Sequence, residues 1–316
     1  MTRLVAIGLA FSAAVAPVLA IDGGIGRTLT GTWVLPGVAI VGPDPGPGLK
    51  VLPIGYRGVI GGSRLDPVAG VIVFNDQADA SVNVVIAGYD YKLKSKKVNL
   101  ASAILVPTSW WGASGSQLIG GNFIAARNAN ASVGDVILVP LVFGLRFSET
   151  HFLAISNWIW APSGLFRAGN ISNVGMGIWS FMPNVSHTYY WEKYKLEFDN
   201  FLGFDIYTNN AATNYKSGTM FHWDSMIIRY FGKKRFGVGA IGARQTQVTE
   251  DTGPVAETLN GFVGRKWGVG PTVVYVARTE KPGVTLQFRW INEFRVTNML
   301  KGNIFMGGVY FNLKSR

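Results

Sequence analysis

Apolar and polar side chains alternate with a period of two along most of the chain, and residues 194 to 207 show this most clearly. Even positions there are almost all apolar, whereas the odd positions include the charged Lys195, Glu197, Asp199 and Asp205. Side chains at i and i+2 of a strand share a face, so this stretch has one apolar and one charged face. A helix, whose period is 3.6 residues, does not produce such a pattern. The stretch is therefore predicted to be a strand.

The same alternation defines twelve predicted strands, each of ten residues or more. They cover residues 49–60, 81–94, 98–108, 133–147, 151–162, 175–190, 194–207, 219–231, 235–248, 263–278, 283–296 and 303–313. Strands of this length suit a tilted membrane crossing, whereas strands in soluble proteins average ~5–6 residues.

The connections between these strands alternate between short and long. Short polar turns fall at residues 95–97, 148–150, 192–193, 232–234 and 280–282, and longer segments at 61–80, 109–132, 163–174, 208–218, 249–262 and 297–302. Tight periplasmic turns and long external loops are typical of up-and-down outer-membrane barrels. In lipid every backbone N–H and C=O needs a partner within the protein, so strands cross only as a closed sheet. We predict an all-β, antiparallel transmembrane barrel of about twelve strands.

Composition agrees with many strands and turns and removes several other classes. The 316 residues include 40 Gly, 10 Trp, 11 Tyr and 19 Phe, and 15% are charged, compared with about 25% in an average soluble domain. A hydrophobic fraction of 48% excludes a disordered chain. The absence of Cys excludes disulfide scaffolds, cysteine-based metal sites and thiol catalysis.

The N-terminal part divides into two segments before the barrel. Residues 1–20 contain Arg3, an apolar run and a small-residue site, and are predicted to be a signal peptide cleaved after Ala20. Residues 21–48 are rich in Gly and Pro, which disfavour both helix and central strand. This second segment is predicted to be a periplasmic loop or a plug, and residues 49–316 are predicted to form the outer-membrane barrel.

The polar faces of the predicted strands give candidates for residues that line the lumen. From alternation they are Lys195, Glu197, Asp199, Asp205, Arg244, Arg289, Glu293 and Arg295, with Arg244 in a Gly-rich strand whose parity is ambiguous. Twelve strands lie between a packed eight-stranded barrel and an open sixteen-stranded pore, so a narrow or plugged path is expected. Two interpretations stay open, namely a lining that favours polar groups of a solute and an ion network that closes the pore.

No motif in the sequence points to catalysis, a cofactor or a metal. Residues 237–242 match G-x-G-x-x-G but fall inside a predicted strand, where a dinucleotide site needs a turn that opens a helix. The histidines are His151, His187 and His222. His222 shares its strand face with Asp224, whereas Ser225 lies on the opposite face, which argues against a catalytic triad within that strand. We therefore predict no catalytic residue, no metal site and no cofactor.

Several short segments together make the sequence resemble the meta-pathway phenol-degradation protein family. The segments that carry the resemblance are Gly134-Asp135-Val136 with Pro140, Trp160 to Gly164, Asn209-Asn210, Thr213 to Gly218, His222-Trp223-Asp224, Arg244-Gln245, Thr249 to Gly253, Gly270-Pro271 and Leu286 to Phe294. The resemblance implies an outer-membrane barrel of a Gram-negative bacterium, associated with the handling of aromatic compounds. It brings no agreed set of functional residues.

These observations predict a channel for facilitated diffusion of small hydrophobic or phenol-like compounds across the bacterial outer membrane. The alternatives are a barrel enzyme that hydrolyses lipids and a structural or adhesive barrel that binds a partner through residues 109–132. Expected partners are outer-membrane lipid, lipopolysaccharide and the solute. Export and the lack of a large basic cluster argue against nucleic acid, and a monomer is favoured although the oligomeric state stays open.

Overall fold

The computed structural model describes residues 26–42, 44–95, 97–232, 235–279 and 283–313, so the predicted signal peptide lies outside the described residues. The strands are β1 (Gly46–Gly61), β2 (Leu65–Val68), β3 (Val71–Tyr91), β4 (Val98–Ile119), β5 (Asn122–Val133), β6 (Ile137–Arg146), β7 (His151–Trp160), β8 (Ser180–Trp191), β9 (Leu196–Tyr207), β10 (Met220–Phe231), β11 (Phe236–Gln247), β12 (Arg265–Arg278), β13 (Gly283–Thr297) and β14 (Met299–Asn312). The helices are a 3-10 turn (Glu192–Tyr194) and α1 (Pro254–Thr258). Among the described residues, no helix is both long and apolar enough to pass through a bilayer.

Twelve strands close into a ring in which every pairing is antiparallel. From β6 to β14 each strand pairs with the next, β14 pairs with β1, β1 with β3, β3 with β4, and β4 with β6. The predicted twelve-stranded antiparallel barrel is therefore confirmed. Closure leaves no open edge around the ring, as a sheet in lipid requires.

Two predicted loops contain additional strand structure. Residues 61–80 include β2 and the start of β3, and residues 109–132 include the end of β4 and most of β5. The β4–β5 hairpin turns at Gly120 and Gly121, both with positive φ, and pairs from Thr108↔Val133 to Ile119↔Asn122. Both faces of β5 are largely exposed, so β5 buries no apolar face and gives no period-two signal.

The connections and the outer surface follow the barrel pattern. The short turns lie at the end of the barrel where β1 begins and β14 ends, and the long connections lie at the other end. The predicted longer segment of residues 297–302 is wrong, because β13 and β14 are joined there through Asn298 alone. Outward positions carry large exposed apolar side chains, for example Val269, Phe288 and Phe305. An apolar band on the outside of a closed sheet is the lipid-facing surface of a transmembrane barrel.

The interior is filled in part by residues 26–42, which we name the N-terminal segment. Its Thr28, Thr30, Trp33 and Val34 are buried, and its backbone hydrogen-bonds with inward side chains of several strands. No regular strand or helix is assigned within it, as the Gly and Pro content predicts. Because the segment has no sheet partner, several of its backbone polar groups bond to barrel side chains and others bond within the segment.

Candidate functional site

Glu293 on β13 joins three strands and the N-terminal segment. Its Oε1 lies 2.7 Å from Lys266 Nζ on β12 and accepts a hydrogen bond from Thr30 Oγ1 at 2.5 Å, while Oε2 accepts from Gly302 N at 2.9 Å and from Tyr56 OH at 3.3 Å. The side chains of Lys266 and Glu293 are completely buried. A buried charge pair persists when further hydrogen bonds satisfy it, and this carboxylate has three such donors.

Asp224 and Arg289 fix the turn of the N-terminal segment around Gly31. Asp224 Oδ1 accepts from Gly31 N at 3.1 Å and Oδ2 from Trp33 N at 3.3 Å, whereas Arg289 Nη1 donates to Gly31 O at 2.6 Å. A carboxylate from β10 and a guanidinium from β13 therefore satisfy both kinds of backbone group. Gly31 has φ +72°, a conformation that favours glycine.

The two ends of the N-terminal segment are also bound. At its start, Thr28 Oγ1 donates to Asp205 Oδ2 at 3.2 Å, and Gln245 Nε2 donates to the Thr28 carbonyl at 2.6 Å. Towards its end, Gly37 N donates to Glu197 Oε1 at 2.6 Å. Thus β9, β10, β11 and β13 form what we name the polar wall, whose inward side chains hydrogen-bond the segment.

Arg27 links the segment to the long connection between β7 and β8. It forms a buried ion pair with Asp135, and its Nη2 and Nε donate to Ile178 O at 2.7 Å and Ser180 Oγ at 2.8 Å. The Asp135 carboxylate also accepts from Gly164 N at 2.8 Å and from Met176 N at 2.9 Å. Asp135 therefore holds the external connection of residues 161–179 against the start of the segment.

A cavity of about 220 Å³ lies between the segment and the inward faces of β3, β4 and β6, which we name the cavity wall. The connection of residues 161–179 contributes a further part of the lining. The lining is mostly apolar and includes Trp33, Ile54, Val84, Trp111, Ala113, Ile137, Trp160, Phe166, Ile171 and Leu300. Arg27, Asp76, Ser109 and Asp135 contribute polar atoms at its margin. An apolar space with a few polar groups is the usual form of a small-molecule site.

The structure brings together five of the eight lumen candidates and places three elsewhere. Glu197, Asp199, Asp205, Arg289 and Glu293 are all buried inside the ring. That they line a solute path stays a prediction.

The remaining three candidates require correction, each for a local reason. Lys195 is exposed in the short turn before β9, with φ +54°. Arg244 lies between the buried Ala243 and Gln245 and therefore faces outward, with its guanidinium 4.9 Å from the Trp267 ring. Arg295 is exposed and has φ +49°, near a register shift between β12 and β13 that interrupts the alternation.

Three interior residues of β10, β11 and β12 were not selected from the sequence. Asp224 alternates with His222 on β10, so parity alone contains the signal that places it inward. Lys266 and Gln245 are also buried, on the inward faces of their strands. Lys266 directly follows Arg265 in the sequence, and only the strand register shows that Lys266, not Arg265, faces inward. The contacts of Asp224 and Gln245 with the N-terminal segment join residues more than 190 positions apart, which no local pattern encodes.

The histidines do not form a catalytic arrangement in the described residues. His222 is buried, with its Nε2 2.8 Å from Met182 Sδ and its ring stacked on Phe201. His151 and His187 contact each other through their Nε2 atoms at 3.1 Å. The glycine motif of residues 237–242 lies in the middle of β11, where a Cβ on Gly239 would be 2.0 Å from the Ile227 carbonyl.

Similar solved structures include outer-membrane channels. The COG4313 outer membrane channel from Pseudomonas putida F1 aligns with a TM-score of 0.68 at 14% identity, covering 88% of this chain and 99% of that channel. A FadL homologue from Pseudomonas aeruginosa (TM-score 0.45, 9% identity, 94% and 97% covered) and the CymD monoaromatic hydrocarbon channel (0.43, 7%, 92% and 97%) are more distant. The fold is that of an outer-membrane β-barrel.

The family follows from the sequence itself. The model of the family described as "Putative MetA-pathway of phenol degradation" matches residues 63–306, and the chain belongs to this family. The resemblance noted from the sequence is confirmed. No curated protein sequence matches the chain.

Proposed function

We propose that the protein is an outer-membrane channel through which small apolar aromatic molecules cross by facilitated diffusion. The observation that carries the proposal is the apolar cavity of about 220 Å³ between the N-terminal segment and the cavity wall. An apolar cavity of about 150 Å³ in another protein binds benzene, so this one has room for a single substituted ring. The family description, which names phenol degradation, points to the same chemical class.

The lining suits a phenol better than a sugar or an ion. Trp33, Trp111, Trp160 and Phe166 present aromatic surfaces, against which a ring packs edge to face or offset. A hydroxyl group on the ring can hydrogen-bond with Ser109 at the margin of the cavity. A charged or strongly hydrated solute would lose its water here without enough polar partners to replace it.

In this proposal the N-terminal segment is the plug of the channel. It is bound to the polar wall by hydrogen bonds and contacts the cavity wall mainly through apolar side chains, so a solute passes on the cavity side. The short-turn end faces the periplasm and the long connections face outside, the usual orientation of such barrels. No energy source or cofactor is needed for diffusion down a gradient.

A lipid hydrolase and an adhesive barrel are less well supported. A hydrolase needs a serine hydroxyl within hydrogen-bond distance of a histidine. Among the described residues, the hydrogen bonds of His222, His151 and His187 go to a thioether, to another imidazole and to Asn200. The β4–β5 hairpin has exposed apolar residues, but Arg127 is its sole charged side chain within Asn122–Val133. We therefore assign no enzymatic role.

Transport is tested in proteoliposomes. Initial uptake of labelled phenol is compared with uptake of glucose, in vesicles that contain folded protein or the same mass of heat-unfolded protein. We expect folded protein to speed the uptake of phenol and to leave the uptake of glucose unchanged, relative to heat-unfolded protein. We also expect tryptophan fluorescence to be quenched when phenol enters the Trp-lined cavity. Equal phenol uptake in both vesicle types contradicts the proposal.

The plug assignment has its own test. A variant that lacks residues 26–42 removes every hydrogen bond described above between the segment and the barrel. We expect a higher single-channel conductance in planar bilayers than for the complete chain. Unchanged conductance in a variant that still folds as a barrel rejects the plug.

A further inference from the structure

Five neighbouring strands carry cationic side chains near the end with the long connections. They are Arg57 on β1, Lys301 on β14, Arg295 on β13, Arg265 on β12 and Arg244 on β11. Arg244 is half-buried and the other four are exposed. We name this group the basic face.

The strand register brings these residues into one row across the five strands, close to the long connections. Lys301 pairs with Val59, two residues beyond Arg57 on β1. On β12, Trp267 lies two residues after Arg265 and pairs with Arg244 of β11. On its other side Trp267 pairs with Phe294 of β13, which is the residue before Arg295. The cations therefore follow one another around the outside of five strands rather than along one strand.

The basic face lies just beyond the lipid-facing apolar band. Continuing along β12 from Arg265, the outward positions are Trp267, Val269 and Val273, so an interfacial tryptophan separates the cation from the apolar band. On β14, Phe305 follows Lys301 on the outward side. Aromatic side chains of this kind mark the headgroup level, so the cations lie at the height of headgroups in the external leaflet.

Charge on the basic face is mostly uncompensated. Arg57 lies 3.4 Å from the exposed Asp79, but no carboxylate of the described residues is within ion-pair distance of the other four cations. Outward positions of β6 and β9 near the long connections carry exposed apolar groups, including Leu138, Phe204 and Ile206. Uncompensated positive charge on one side predicts an anionic partner that meets the barrel from that side.

Two arginines are already held in place by neighbours. Arg244 stacks on Trp267, with 4.9 Å between the guanidinium carbon and the ring centroid, and its Nε donates to Thr246 Oγ1 at 3.0 Å. Arg265 Nε donates to Thr297 Oγ1 at 3.4 Å. These hydrogen bonds use the Nε groups, whereas the terminal nitrogens of a guanidinium are the ones that match phosphate oxygens in a bidentate manner.

We propose that the basic face binds the phosphate groups of a phosphorylated glycolipid of the external leaflet, the lipid A part of lipopolysaccharide. The proposal rests on the outer-membrane location assumed in the proposed function. The acyl chains pack on the apolar band of β11–β14, while the phosphates bind Arg244, Arg265 and Lys301. Both parts of the lipid thus contact the same side of the barrel.

Titration of detergent-solubilised protein with bisphosphorylated lipid A, dephosphorylated lipid A and inorganic phosphate, followed by native mass spectrometry, tests the proposal. The variant combines R244Q, R265Q and K301Q. We expect it to bind bisphosphorylated lipid A at least about tenfold more weakly than the unmodified protein, because each lost cation weakens attraction to an anionic lipid. A matched variant with K193Q, K195Q and R229Q removes three cations at the short-turn end and is expected to bind normally.

The outcomes distinguish lipid-bound phosphate from free phosphate, and they distinguish failure of the lipid proposal from failure of the transport proposal. The lipid proposal is overturned if dephosphorylated lipid A binds as tightly as bisphosphorylated lipid A, or if the two triple variants bind bisphosphorylated lipid A equally well. It is also overturned if inorganic phosphate binds tightly and the lipids do not. Folding is checked by the mobility shift between unheated and boiled protein on a gel. Because phenol uptake is measured in vesicles free of lipopolysaccharide, loss of lipid binding leaves the transport result unaffected, and failed transport leaves the lipid result readable.

Discussion

The polar wall and the cavity wall face the same N-terminal segment, yet they contact it in different ways. On the polar wall, Asp224, Arg289 and Glu293 hydrogen-bond its backbone or its threonine side chain at 2.5–3.3 Å. On the cavity wall, apolar residues such as Val84 and Trp111 line a space of about 220 Å³ beside it. One side fixes the position of the segment, whereas the other leaves room for an apolar molecule.

This difference indicates how a narrow barrel can be both closed and permeable. Polar groups buried without partners are costly, so the hydrogen bonds of the polar wall keep the segment in place. Apolar contacts on the cavity wall have no required direction, and an apolar solute replaces them at little cost. A solute therefore passes beside the segment without breaking its attachment.

The largest expected effect comes from Glu293→Gln in the polar wall. The change leaves the Lys266 ammonium completely buried without its carboxylate, and breaking a buried pair in this way costs about 3–5 kcal/mol. Urea unfolding of the barrel in micelles measures the loss. The double variant K266M/E293Q removes both charges and is expected to recover most of the stability, and a double variant as unstable as the single one contradicts this assignment.

Asp224→Asn is expected to have the next largest effect. An amide oxygen accepts from only one of the Gly31 and Trp33 N–H groups, and charge-assisted hydrogen bonds contribute about 1.5–3 kcal/mol. The segment should then detach more often, and single-channel conductance should rise. Asp79→Asn, which alters an exposed carboxylate at the outer surface, serves as the control. A conductance that stays the same in both variants shows that Asp224 does not hold the plug.

Much of this fold could be predicted from the sequence because a barrel strand meets lipid on one face and the interior on the other. That requirement imposes a period of two on each crossing, and Glu197, Asp199 and Asp205 are buried on the face that parity assigns to them. The pattern fails where the geometry departs from a regular strand. Arg295 has φ +49° near a register shift, and Lys195 belongs to a turn.

The features that escaped prediction are those without an alternating environment. Strand β5 pairs with β4 outside the ring and is largely exposed on both faces, so it shows no amphipathic signal. The cavity depends on how the N-terminal segment packs against distant strands, as in the contact of Trp33 with Trp158 at 4.8 Å between ring centroids. Such contacts depend on tertiary structure, which local spacing does not determine.

Gly31→Ala tests the attachment through the backbone alone. At φ +72° a side chain costs about 1–2 kcal/mol, and the new Cβ would also lie 2.6 Å from Ile291 Cδ1. Gly169→Ala is a matched control, because Gly169 has φ +75° but nothing within 4 Å of its Cβ position. We expect Gly31→Ala to lose more unfolding free energy than Gly169→Ala in urea titrations. Equal losses would mean that packing at the segment turn is unimportant.

The smallest effect is expected on the cavity wall, from Ala113→Leu. Ala113 lines the cavity, and three additional carbon atoms there reduce the space for a ring. We expect phenol uptake in proteoliposomes to fall about fivefold, equivalent to about 1 kcal/mol, while conductance of small ions changes little because the hydrogen bonds of the polar wall are untouched. Ala129→Leu on the exposed face of β5 adds the same atoms outside the cavity and should leave uptake unchanged. If both variants transport phenol at the unmodified rate, the solute does not pass along the cavity wall, and the contrast between the two walls has no bearing on transport.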